Sequence, residues 1–484
     1  MATIIIQRPL YPKVPVGQDV IFTVSNNGIV YSEQNVKFTA EVHISDTIVP
    51  NLASTTNIVG TFKTTPNNAG VGMFDLSSVI ENYVSADNVA TDLSLYTYKL
   101  AANTKFPNLP IHLIDKYSGN KNTARWLSIK FKVEYLDLDL TSSTYNQIIS
   151  VQEVNSREYL LFNGYLKESD KLDLGLNTSN FGYNLTDFSY LENQKRKLLT
   201  NAPLIQYANI GDYGTVALNI DNPLEKGFTN PFSAGSSGVR IKYYDSNGVS
   251  LGNETVSHSV VNGGFSYANG NIYSRILYFG IYPANLRGWS TMFQGYVTAD
   301  TISYYTFTVV TGGLISMSSK YTININCPTL KSYKPIRITW LNQWGAWDYY
   351  TFKMKSSKSI STKKTKYQQL AGTWNESSYK VNGYKGGNKT FRVNATETIK
   401  MNSDFINEEE SAWFEELINS PEVYLLDEFQ DDGLTTNTTS VLNNYVTPVI
   451  LKTSSWTKKT KANDKLIQYT FEVEKSKTLR TQSI

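Results

Sequence analysis

Val36-Lys37-Phe38-Thr39-Ala40-Glu41-Val42-His43-Ile44 places an apolar residue at every second position. That is the period of a strand with one face buried and the other wet. Residues 127–140 repeat the pattern over a longer stretch, with Leu127, Ile129, Phe131, Val133 and Tyr135 on one face. Upstream, Val20-Ile21-Phe22-Thr23-Val24 reads as a further strand, closed by the turn sequence Asn26-Asn27-Gly28. Strands at this spacing, joined by Gly/Asn turns, predict β-sandwich-like domains. In this reading His43 points away from Val42 and Ile44, onto the solvated face.

The whole chain agrees with that start. Its 33 Tyr, 21 Phe and 8 Trp are set among Asn, Ser and Thr, residue types suited to pleated, half-buried strands and their turns. The expected class is all-β and multidomain, because 484 residues exceed one hydrophobic core. Three regions are expected: a sandwich-like domain over 1–154, a loop-rich β domain over 155–331 and a C-terminal β domain over 332–484. In the middle region Tyr159-Leu160-Leu161-Phe162 and residues 215–220, 239–244, 276–282 and 304–310 read as strands. Polar stretches such as Asn262-Gly263-Gly264 through Asn269-Gly270-Asn271 read as exposed loops.

Two short helices interrupt the strands. Asp75 can cap residues 76–85, where Leu76, Val79, Ile80, Tyr83 and Val84 share a helical face. Asn407 precedes Glu408, Glu409 and Glu410, a cap followed by carboxylates that complement the dipole, and Glu410 can close a capping box. Trp413, Phe414, Leu417 and Ile418 supply the apolar stripe of a helix over 408–418, and Pro421 stops it.

Catalytic chemistry has few carriers here. His43, His112 and His258 are too far apart to form a metal motif, and Cys327 is the lone cysteine, read as a small buried hydrophobe. Asp348 and Asp245 lack motif context and read as surface carboxylates. No phosphate cradle is present, since Tyr384-Lys385-Gly386-Gly387-Asn388-Lys389 lacks the strand–loop–helix spacing and reads as a hairpin turn. The expectation is a non-enzyme with no catalytic, cofactor or metal site. Residues 1–10 lack the apolar stretch of a secretory signal, and no run approaches a membrane span. Synthesis in a cytosol without a membrane segment is therefore expected.

One charge asymmetry stands out. Residues 331–400 hold 14 Lys plus Arg against Asp348, Glu376 and Glu397, a net of 14 − 3 = +11, while the whole chain is +3. Lys353, Lys355, Lys358, Lys363, Lys364 and Lys366 are the candidate contacts to DNA or to an acidic protein surface. The competing reading is a strand edge guarded by lysines against unwanted pairing. Trp340, Trp344, Trp347 and Trp374 cluster in the same region and are expected to form a core, the alternative being an exposed sugar-binding platform.

Three segments resemble structural virion proteins of tailed bacteriophages that infect Bacteroidetes-type hosts. They are Pro15-Val16-Gly17-Gln18-Asp19-Val20-Ile21-Phe22-Thr23-Val24-Ser25 followed by the strand over 36–44, the stretch Gly70-Val71-Gly72-Met73-Phe74-Asp75-Leu76-Ser77-Ser78-Val79-Ile80-Glu81-Asn82-Tyr83-Val84, and Ile338-Thr339-Trp340-Leu341-Asn342-Gln343-Trp344-Gly345-Ala346-Trp347-Asp348-Tyr349-Tyr350-Thr351-Phe352. In the last, Tyr349-Tyr350 departs from the smaller residue and aromatic common there. The resemblance covers the first 90 residues and most of the last 150, and it transfers no catalytic residue. It implies a tail, hub or baseplate ring protein, made in the host cytoplasm and destined for the virion. Such a protein would assemble as a homo-oligomeric ring with other virion proteins through β-edge and loop contacts. Its competitors are a receptor- or glycan-binding tail fibre or adhesin, a capsid decoration protein and a β-fold polysaccharide-degrading enzyme.

Overall fold

A computed structural model describes residues 2–9, 13–45, 52, 57–86, 89–90, 109–114, 116–120, 123–168, 198–219, 238–257, 276–310, 315–325, 333–426, 446–455, 457, 467–477 and 479–483. Cys327, His258 and the loops at 262–271 lie outside the described residues. The protein is all-β and multidomain, with a few short helices. It divides into two compact units: Met1–Asn326 with Asn342–Asp348, and Cys327–Leu341 with Tyr349–Ile484. The first unit spans both regions expected before residue 331, and the second begins five residues before the expected boundary.

The first unit opens with a sandwich. Ile4–Gln7, Ile21–Ser25 and Val71–Asp75 form an antiparallel sheet. A second sheet runs in the order Lys13–Pro15, Tyr159–Phe162, Ala124–Leu136, Gln34–Ser45 and Ile58–Thr64, with Ile148–Asn155 also paired to Ala124–Leu136. Phe22 and Phe74 from the first sheet meet Phe38, Phe131 and Tyr159 from the second in one buried cluster. The Phe22 ring centroid is 5.7 Å from Phe131 and 5.6 Å from Tyr159. Each fully buried side chain of this kind stabilises the fold by about 1.5–3 kcal/mol.

The alternation of the opening stretch is therefore real, but its outer face is not uniformly wet. His43 is 0% exposed, and its Nε2 lies 2.7 Å from the Glu41 carboxylate. This corrects the solvated position expected for it. Period-2 spacing sorts side chains between faces, whereas burial depends on what lies over each face. Towards this end of the sheet the outer face is covered too: Ser128, opposite His43, and Trp126, opposite Ser45, are both buried. Further along, Lys132 sits 3.1 Å from Glu153 and 3.8 Å from Glu41, the charged outer face that the pattern implied.

Asp75 closes its strand and accepts hydrogen bonds from Ser77 N at 3.0 Å and Ser77 Oγ at 2.6 Å. The helix that follows is shorter than expected: Ser77–Ile80 is helical and Glu81–Tyr83 tightens into a 3-10 turn. Serine, β-branched and aromatic residues fill this stretch, and all of them disfavour helix propagation.

The rest of the unit holds a five-stranded sheet and a three-stranded one. The first runs Ile205–Ala208, Tyr321–Ile325, Tyr304–Val310, Gly238–Tyr244, Ser250–Ser257, and the second Thr215–Asn219, Ile276–Gly280, Tyr117–Asn120. Two helices that the sequence reading missed lie here: Pro283–Trp289, which buries Leu286, and Thr291–Thr298, which packs through Phe293, whose ring is 5.7 Å from Tyr243 and 6.0 Å from Tyr305. Their signals were Pro283 at the first turn and Ser290 as the cap of the second, its Oγ accepting from Phe293 N.

The second unit is built on a sheet ordered Trp347–Phe352, Ile336–Leu341, Val423–Leu426, Val446–Leu451, Thr470–Lys475, Gly387–Asn402 and Ser356–Gln369, with Leu479–Ser483 also paired to Gly387–Asn402. Helix Glu408–Asn419 packs across Ile336–Leu341. Asn407 Oδ1 accepts from Glu410 N at 2.8 Å, and Glu410 Oε2 accepts from Asn407 N at 2.9 Å, a complete capping box. Trp413 packs into the core with its ring tilted 48° to Trp340 at 4.9 Å, and Phe414 sits 5.5 Å from Phe471. No described helix is long and apolar enough to cross a membrane.

Candidate assembly surface

The basic stretch folds as a long antiparallel hairpin. Ser356–Gln369 is the terminal strand of its sheet and pairs with Gly387–Asn402 along its whole length, from Ser356 opposite Met401 to Gln369 opposite Gly387. Threonine, serine and lysine alternate on the edge strand, which suits a pleated surface that packs on nothing. One face carries Ser357, Ser359, Ser361 and Lys363 opposite Lys400, Thr398, Thr396 and Asn394, and is polar throughout. The other carries Lys358, Ile360, Thr362 and Lys364, with buried Ile399 and Ala395 on the inner strand.

The six candidate lysines do not form one stripe. Lys353 precedes the strand and approaches Asp404 at 4.0 Å, and Lys358 approaches Glu397 at 3.9 Å, a carboxylate that Lys475 already holds at 2.9 Å. Lys355 is exposed, and its backbone carbonyl accepts from Asn402 Nδ2 at 2.7 Å. Lys363, Lys364 and Lys366 are exposed on both faces, and none of the three makes an ion pair among the described residues. An irregularity in register between Thr365 and Lys366 twists the strand at that point.

Residues 370–386 join the two strands as a smaller hairpin. Gly372 bridges Val381, Thr373 N donates to Lys380 O at 2.9 Å, and Asn382 N donates to Ala371 O at 2.9 Å. Gly386, at φ 95, must be glycine, since a Cβ there would fall 2.8 Å from the Cα of Ala371. The connection displays rings instead of hiding them: Trp374 is 85% exposed, Tyr384 77% and Val381 71%. Tyr379 and Leu370 in or next to the connection are exposed as well, as are Ile360 and Phe391 on the two strands. Trp374 thus corrects the expected four-tryptophan core. Trp340, Trp344 and Trp347 are buried, on or beside strands of a packed sheet, while Trp374 lies in a connection with no layer over it.

Other candidates have structural places. Asp348 is buried, not on the surface as expected, and accepts from Thr200 Oγ1 at 2.6 Å. Burial, with the Asp348 charge adding to it, pushes Tyr321 up to about 12. Asp245 caps a turn by accepting from Asn247 N and Val249 N. His112 is buried with its ring 5.0 Å from Trp347. Among the described residues no three His, Cys, Asp or Glu side chains converge on a point that would hold a metal ion.

No family model matches the chain, and no curated protein matches it. Among solved structures, the native conformation of E. coli alpha-2-macroglobulin is similar over 82% of this chain and 22% of that one, at 8% identity and a TM-score of 0.17. This chain therefore spans less than a quarter of that chain's length, and a likeness at that score carries no argument.

Proposed function

We propose that this chain is a structural component of a tailed bacteriophage virion, a tail, hub or baseplate ring protein that is made in the host cytoplasm and assembles through β-edge and loop contacts. The observation that carries the reading is the hairpin of Ser356–Gln369 and Gly387–Asn402. A monomer that remains alone rarely displays so many large apolar side chains on one hairpin, and an edge strand unpaired on one side among the described residues is a template for a partner. The three phage-like sequence segments support the same assignment. Mass spectrometry of purified particles, with immunolabelling to place the chain, tests it. Presence at fixed copy number in the particle is the expected result, and absence from washed, infectious particles refutes it.

A second reading has one specific observation in its favour. Trp374, Tyr379 and Tyr384 expose rings on one connection, as a glycan-binding platform does, which fits a receptor-binding fibre. Retention on host surface polysaccharide that Trp374→Ala abolishes would favour it over the ring.

A further inference from the structure

The second unit carries two opposite charge fields in adjacent stretches of sequence. Residues 331–400 are +11, whereas residues 404–422 hold Asp404, Glu408, Glu409, Glu410, Glu415, Glu416 and Glu422 with no lysine or arginine. Glu416 is buried and Glu410 is committed to the capping box. Asp404, Glu408 and Glu415 remain at least partly open to solvent along the start and outer side of helix Glu408–Asn419. Phe405, beside them, is exposed as well.

We propose that the basic hairpin of one copy docks on the acidic helix face of a second copy, head to tail. The inference rests on the ring reading above and names the contact that would close the ring. Charge selects the geometry. Pairing the edge strand with itself about a two-fold axis through its middle would set Lys363 and Lys364 of one copy within a few residues of Lys363 and Lys364 of the other, a clustering of like charge with no acidic residue on either strand to offset it. Setting the lysines against Asp404, Glu408 and Glu415 of a neighbour turns that repulsion into attraction. Trp374 and Phe405 supply apolar surface on the two sides. Made head to tail, without the reciprocal contact, this pairing is heterologous, and heterologous contacts whose rotation closes generate rings. On the edge strand the same lysines discourage unplanned pairing until the acidic partner arrives.

The test uses the purified full chain in sedimentation velocity at about 0.1 M and about 1 M salt, where screening lengths are roughly 10 Å and 3 Å. Association at the lower salt and its loss at the higher are expected. Lys363→Glu, Lys364→Glu and Lys366→Glu combined should give a folded monomer, as should Asp404→Lys, Glu408→Lys and Glu415→Lys combined. An equimolar mixture of the two variants should associate again, because each reversed hairpin then meets a reversed helix face. Circular dichroism confirms that both variants fold. If either fails to fold, the wild-type salt dependence decides. A wild type that is monomeric at both salts overturns the inference, as do a hairpin variant that still associates and two folded variants that do not restore each other. A wild type that stays monomeric yet retains duplex DNA at low salt also overturns it, placing nucleic acid where the second copy was expected. None of these outcomes alters whether the chain is found in particles, so the ring contact and the virion assignment fail separately.

Discussion

The carbonyl oxygen of Asn163 occupies the space that a side chain on Gly345 would need. A Cβ at 345 would lie 1.9 Å from that oxygen, and the residue is already at φ 72. The turn around it is held by Asn342, whose Oδ1 accepts from Trp344 N and Ala346 N and whose Nδ2 donates to Leu199 O at 2.8 Å. Gly345→Ala should therefore destabilise the protein by about 3 kcal/mol or more, since the clash adds to the roughly 1 kcal/mol cost of the left-handed conformation. Gly295→Ala is the control: nothing lies within 4 Å of its Cβ position in helix Thr291–Thr298, so a gain of up to about 1 kcal/mol is expected. Urea unfolding of both variants checks the pair, and equal midpoints would contradict the account of the turn.

Trp413→Ala should cost about 3–5 kcal/mol, because the indole is buried against Trp340 and leaves a large cavity. A loss below about 1 kcal/mol by chemical denaturation would mean that the helix face is not part of the core.

Trp374→Ala should leave stability within about 0.5 kcal/mol of the wild type, as expected for an exposed side chain. If the chain is the virion component proposed above, incorporation into particles should nonetheless fall. A thermal shift alongside an infectivity assay separates the two effects, and unchanged incorporation would remove the ring from the contact.

The hydrogen bonds from Ser77 hold Asp75 below the usual carboxylate value of 3.8. A carboxylate held low in the folded state adds stability above its unfolded pKa and loses it as pH falls through the folded one. Ser77→Ala should therefore reduce stability at neutral pH and flatten its decline below about pH 3.8. Urea midpoints measured from neutral to acid pH show the effect, and parallel curves for the two proteins would contradict it.

Much of the scaffold was legible because its signals are local. The alternation through Phe38, Ala40 and Val42 and through Ile129, Phe131 and Val133 fixes two strands and the face they bury. Asn407 and Glu410 announce the second-unit helix before any packing is known. What local sequence does not carry is the identity of the covering layer. His43 and Trp374 were both misplaced for that reason, one covered on a face that should be wet, the other uncovered in a region rich in core tryptophans. Helices Pro283–Trp289 and Thr291–Thr298 are short, carry glycines at 288 and 295, and gain their stability from packing, buried Leu286 in the first and Phe293 against Tyr243 and Tyr305 in the second, rather than from propensity. In the candidate surface, the charge asymmetry was visible as composition, but the division of the lysines between two faces follows from the register.

The pairing of Tyr117–Asn120 with Ile276–Gly280 sets a timetable for synthesis. A ribosome adding roughly 5–20 residues per second needs on the order of 10–30 s to pass from one strand to the other. Throughout that interval the earlier strand has left the ribosome with its sheet partner still unmade. The opening sandwich can close meanwhile, since the last strand of its core, Tyr159–Phe162, emerges well before Ile276. Chaperone demand during production should accordingly peak between those two points, and slowing synthesis through residues 121–275 should raise it.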